Sequence, residues 1–178
     1  AQAWLDTTEL DELTSRGLAL TYRDGASGKT LSLRLDGFDV AASDASQPMH
    51  VRAEGAVGTA KVTAAGTIGA LASLIADAPA YPVALDFNVG AASVGVHGTI
   101  DSPRTLATFN LALRAQAPDV AEFAALAGAS VPSLGPFDGT VSLTGSAATP
   151  LFKDIDIQAG NAEQLRLAAR GELQASAA

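Results

Sequence analysis

The chain has no cysteine in its 178 residues. That excludes disulfides, thiolate nucleophiles and sulfur-ligated metal sites. Histidine is nearly as scarce: only His50 and His97 occur, and neither has a second imidazole at metal-ligand spacing. Aromatic residues make up 5%, too few for the exposed ring platforms of a carbohydrate-binding surface. Charged residues make up 17%, against about 25% in an average domain. With 19 acidic and 11 basic side chains the net charge is -8, so the chain lacks the basic footprint that nucleic acid requires. No run of about 18 apolar residues is present, so no transmembrane helix lies within the sequence. There is no signal-peptide pattern, and the start at Ala1 rather than Met reads as a segment of a longer protein, one domain over 1–178.

What the sequence does have is alternation. Hydrophobic residues are 48% of the chain, and most recur in steps of two, the period of a strand with one buried face. In YPVALDFNVGAASVGVHGTI (81–100), Val83, Leu85, Phe87 and Val89 oppose Ala84, Asp86 and Asn88. After a small-residue turn, Val94, Val96 and Ile100 oppose His97 and Thr99. GLALTYR, the turn DGASGK and TLSLRLDGFDV form an earlier hairpin, with Leu31, Leu33 and Leu35 on one face. Phe38 and Val40 break that parity across Gly37, and a β-bulge there restores it. Val51 and Ala53, Val62, then Phe109, Leu111 and Leu113 mark further oily faces, followed by Val141 and Leu143, Ile155 and Ile157, and Leu165 and Leu167. The count is about ten strands at hairpin spacing, a mainly antiparallel all-β chain.

Two segments change period. TIGALASLIAD places Ile68, Leu71, Leu74 and Ile75 at helical spacing. APDVAEFAALAG starts with Pro118, carries Asp119 and Glu122 at the positive end of a helix dipole, and stops at Gly128. Its apolar stripe is Val120, Phe123 and Ala127. Each predicts a helix of about three turns, too short to stand alone in water. Each follows a strand and leads through a proline-containing link to another, giving a weak strand–helix–strand repeat over about 60–90 and 110–145. TTELDEL, near the start, suits a short capped helix.

No catalytic constellation emerges. The two histidines fall on polar strand faces as solvated imidazoles. Asp154 and Asp156 share a face in DIDI and suit either a cation site or a solubilising surface. Ser130 and Ser133 lack the G-x-S-x-G frame, and GASGKT is too short for a phosphate loop and fits a hairpin tip. The informative feature is therefore the recurring apolar stripe. Two architectures satisfy it: a sandwich whose sheets seal the stripes into a core, or one long sheet that curls under its own twist into an open trough.

At this point the chain resembles the AsmA-like family of bacterial envelope proteins. The resemblance is carried by LTSRGLALTYRDGASGKTLSLRLDGFDV, by the block from HVRAEGAV through VTAAGTIGALASLIADAPAYPVALDFNVG to VHGTIDSP, and by LRAQAPDVAEFAALAGASVPSLGPFDGTVSLTG. It implies a curled β-groove, a periplasmic location with an inner-membrane anchor helix outside this segment, no enzymatic activity, no cofactor, and phospholipid acyl chains as partner between inner and outer membranes. The expected groove floor is Leu31, Leu33, Leu35, Val83, Leu85, Phe87, Val94, Val96, Leu111, Leu113, Val141 and Leu143, minus whichever of these pack under the helices. The rival expectation is an assembly module for outer-membrane proteins that pairs a partner strand at an open sheet edge.

Overall fold

The computed structural model describes residues 12–23, 30–122, 132–160 and 166–174. Ten strands appear in these segments, and they hydrogen-bond in strict sequence order as one antiparallel sheet. The strands are β1 (Glu12–Arg23), β2 (Thr30–Ala41), β3 (Pro48–Val57), β4 (Ala60–Ala70), β5 (Tyr81–Val89), β6 (Ala92–Asp101), β7 (Thr108–Ala117), β8 (Phe137–Gly145), β9 (Pro150–Gly160) and β10 (Arg166–Gln174). Among the described residues β1 pairs only with β2, and β10 only with β9. The sheet therefore curls without closing into a barrel, and among the described residues each outer strand is paired along one edge only.

No second sheet lies across the first among the described residues. Within them, the substantial contacts between elements are those of each strand with its sequence neighbours, together with a short helix, α1 (Leu71–Ile75), against β4. This removes the sandwich and leaves the curled trough. Burial agrees with a single layer. Apart from Met49 and Tyr81, the buried hydrophobic residues are small: Ala64, Ala70, Ala92, Ala117 and Ala159. No large side chain falls below 2% exposure among the described residues. The whole chain exposes 11325 Å², where a compact folded monomer of 17.9 kDa would expose about 8,000 Å².

The parity break in β2 is a bulge, as its pattern requires. The β2–β3 register shifts between Leu35 and Gly37, which returns Phe38 and Val40 to the face of Leu35. A second bulge occurs in β9. Asp154, at φ 49, adds a residue between Lys153 and Asp156. The alternation predicted through DIDI is thus reset there: Phe152 pairs with Leu143, and Asp156 with Thr140.

Helix α1 is shorter than its pattern predicts, spanning only Leu71–Ile75. Ile68 stays in β4, paired with Met49 on one side and Val83 on the other. An apolar ladder position between two strands outcompetes one more helical turn, because the sheet satisfies both backbone groups and half-buries the Ile68 side chain beside Met49 and Val83. Tyr81 fixes the junction. Its ring packs over Gly69, where an added Cβ would come within 2.6 Å of Cε2, and its hydroxyl donates to the Gly69 carbonyl at 2.8 Å. Burial raises the Tyr81 pKa above the ordinary phenol value. The second helix, α2, starts at Val120 and is described over 120–122. Phe123 and Ala127 of its predicted stripe and the predicted stop Gly128 lie outside the described residues, as do the DGASGK turn, residues 7–11, Ser130 and Leu165. The last two residues of TTELDEL, Glu12 and Leu13, are not helical but begin β1, paired with Ala41 and Val40.

Asp119 caps α2. Its Oδ1 accepts the Ala121 amide at 2.8 Å, the N-cap geometry that aspartate supplies best. The same carboxylate accepts the Ser133 hydroxyl and the Leu134 and Gly135 amides, each amide at 3.3 Å. Those bonds, the Ser133 one first, hold its pKa below the ordinary carboxylate value of 3.8. One side chain thus fastens both ends of the β7–β8 connection.

Candidate functional site

Residues paired across a ladder point to the same face, so the registers assign each side chain to a row. One row runs Met49, Ile68, Val83, Gly98, Leu111, Leu143, Phe152. The next runs Val40, Val51, Gly66, Leu85, Val96, Leu113, Val141. A third runs Phe38, Ala53, Ala64, Phe87, Val94, Ala115, Gly139, Ile157. Leu35 joins Gly55, Val62 and Val89 in a fourth. None of these rows carries a charge.

The structure brings ten of the twelve expected floor residues onto this one face: Leu35, Val83, Leu85, Phe87, Val94, Val96, Leu111, Leu113, Val141 and Leu143. Each is half-buried, neither sealed nor fully exposed. Leu31 and Leu33 take their places in the β1–β2 ladder opposite Tyr22 and Leu20, and their side chains lie outside the described set. Met49, Ile68 and Phe152 extend the face and were missed in sequence. Ile68 was concealed by the helical spacing of its neighbours, and Phe152 by the bulge at Asp154. The shared heptapeptides VTAAGTI (62–68) and VGVHGTI (94–100) hold the signal that places Ile68 on a strand.

This face is the sheltered one, and alanine shows it without any confounding by side-chain size. Ala64 is 8% exposed while its neighbour Ala65 on the other face is exposed. In β7, Ala115 is half-buried and Ala112 exposed. Burial deepens toward the two ends of the strands. Met49, Ala70 and Tyr81 cluster beside α1, and Ala92, Ala117 and Ala159 lie at the end where α2 begins. α1 is tied down from both sides. The Ala72 amide donates to the Ala45 carbonyl at 2.8 Å, and the Arg104 amide to Asp77 at 3.0 Å. Between these ends no described element covers the middle rows.

Two glycines in these rows let neighbouring strands approach closely. Gly66 (φ +154) and Gly98 (φ +148) adopt backbone that side chains rarely take. A Cβ on Gly66 would lie 2.0 Å from the Ala84 carbonyl oxygen, and one on Gly98 2.0 Å from that of Asn110. Such kinks let strands bend where a side chain would block the approach.

The opposite face is polar and wet. Gly95 and Ala112 leave a hollow there of about 650 Å³, walled by Asp86, His97, Arg114 and Asp154. His97 Nε2 sits 3.3 Å from Asp86 Oδ1, and Arg114 pairs with Asp138 at 3.1 Å. Asp138 also accepts from Gln116, and that bond, with Arg114 second, lowers its pKa. His50 is likewise exposed. Among the described residues no polar or charged side chain is buried, and no group of three metal-binding side chains converges. No described helix is long and apolar enough to cross a membrane.

No protein family, curated protein or solved structure matches this chain. The candidate site therefore stands on its own geometry, an uncharged face of half-buried aliphatic rows on one curled layer.

Proposed function

We propose that the apolar face shelters the acyl chains of phospholipid, and that the protein is an AsmA-like envelope component supporting passive lipid movement between inner and outer membranes from the periplasm. The observation that carries this is the half-burial of Leu85, Val96, Leu113 and Val141 in a continuous row that no described element covers. Burying one CH₂ is worth about 0.8 kcal/mol, so a diacyl lipid of roughly 30 methylenes would cost about 24 kcal/mol to expose fully. An uncharged floor offers shelter along its length and no polar hook to arrest a tail. The headgroup stays in water at the open side. Such conduction needs no catalyst, and its direction is set outside this segment.

The test is native mass spectrometry of the purified protein. Phospholipid is expected to accompany it, and Leu85→Asp with Val96→Asp should remove that lipid while circular dichroism stays unchanged. Undiminished lipid in a folded double variant would exclude these rows as the binding surface.

A further inference from the structure

The kinked glycines point to a strand that the sheet lacks. β4, β6 and β10 share one heptapeptide pattern, VTAAGTI (62–68), VGVHGTI (94–100) and LAARGEL (167–173). Its glycine has nearly the same φ each time: +154 at Gly66, +148 at Gly98 and +159 at Gly171. Toward the preceding strand each faces a β-branched residue, respectively Val51, Val83 and Ile155. Toward the following strand, Gly66 faces Leu85 and Gly98 faces Leu111. In both cases the carbonyl oxygen of the residue before that leucine fills the space where a Cβ would be, at 2.0 Å. Gly145 of β8 repeats the arrangement: it faces Pro150, and the Thr149 oxygen stands 2.5 Å from its Cβ position. At Gly171 the same space holds nothing within 4 Å.

We infer that the free edge of β10 is an acceptor for one further antiparallel strand, an extended polypeptide segment of alternating pattern with a large aliphatic residue opposite Gly171. Three features beyond the glycine favour this occupant. Leu167 and Leu173 are 49% and 59% exposed, and they end rows that run through Phe137 and Ala159, and through Leu143 and Phe152. An added strand would continue both rows. β10 contains no proline and no lysine, and its charged residues are Arg166, Arg170 and Glu172, so every one of its residues keeps a backbone amide for pairing. On its polar face Arg170 pairs with Asp156 at 3.0 Å and Arg166 donates to Gln158 at 3.0 Å, so both arginines are already engaged by β9 rather than aimed at the free edge. Main-chain bonds would supply affinity, and the residue over Gly171 would supply register. This inference does not depend on the lipid reading.

A synthetic peptide of the β7 sequence, TFNLALRAQA, already fits opposite a glycine of this kind and serves as the probe. In a hydrogen-exchange experiment on the intact protein, the peptide is expected to slow alternate β10 amides at least tenfold and to leave β1 unchanged. The same peptide with Leu111→Asp should bind at least tenfold more weakly. In the protein, Gly171→Ala should abolish binding while exchange in β4–β8 stays as in the parent. Unaltered β10 exchange, equal binding of the aspartate peptide, or full binding by a folded Gly171→Ala protein would each overturn the inference. Protection of β10 that rises with protein concentration in the absence of peptide would assign the edge to the β10 of a second copy rather than to a separate segment, and would overturn the inference.

Discussion

Single residues set the shape of this sheet more than its adhesion. Gly66 and Gly98 hold φ values that other residues adopt only at about 1–3 kcal/mol, and both Cβ positions are taken by a carbonyl oxygen. Gly66→Ala and Gly98→Ala are therefore expected to lower unfolding free energy in urea by about 2 kcal/mol or more, the strain and the clash combined. Gly37→Ala is the matched control. It also sits in a strand, but has open space around its Cβ position and no left-handed φ, and it should change stability by less than about 1 kcal/mol. Tyr81→Phe removes one hydroxyl bond to the Gly69 carbonyl and leaves a buried carbonyl short of a donor, a loss of about 1 kcal/mol. An effect near zero would mean that the Tyr81 hydroxyl has no part in ending β4.

At the scale of elements, the connections carry the pH dependence. Asp101 accepts the Ala80 amide and the Thr108 hydroxyl, Asp119 fastens the α2 link, and Asp138 joins Gln116 and Arg114 across the β7–β8 ladder. All three have folded-state pKa values below the ordinary 3.8. A depressed carboxylate contributes stability above its unfolded pKa and loses it as pH falls through the folded value. Thermal melts should therefore be flat from pH 7 to about 5 and fall below about pH 4. Asp119→Asn should flatten part of that acid slope, and an identical slope in the variant would remove Asp119 from it. The strands themselves were legible in sequence because one face is apolar and the period is two: every strand from β1 to β10 has its counterpart in the alternation. The bulge at Gly37 was legible because Phe38 and Val40 broke parity. The bulge at Asp154 was not, since DIDI alternates correctly by itself and only pairing with β8 shows that Phe152 faces Leu143. α1 was overextended for a related reason. Ile68 fits a helical stripe and a strand row equally well in sequence, and only its partners Met49 and Val83 decide between them. Which residues share the apolar face followed from parity, whereas the absence of a covering sheet among the described residues did not, because a sandwich would use the same residues.

At the scale of the whole molecule, one layer of ten strands spaced about 4.8 Å apart has an arc of about 43 Å. A compact chain of 178 residues has a radius of gyration near 16 Å. A curled single layer of that arc has much the same radius of gyration, so small-angle scattering should differ in shape: the distance distribution should fit a thin curved slab about 10 Å thick, and a globular profile would mean that the face is folded shut in solution. Stability should also be graded along the arc. Among the described residues each strand makes its substantial contacts with its sequence neighbours, as units do in linear repeat proteins, so amide exchange should be slowest in β4–β8 and fastest toward β1 and β10. The strict order of the meander has a mechanical corollary. A pull applied at the two ends of this segment acts along the line of stacked strands. It loads the ladders one after another instead of all together. Under tension the protein would part hairpin by hairpin, at low force and with a sawtooth trace, and would lengthen like a hinged rule where a barrel or sandwich would resist and then snap.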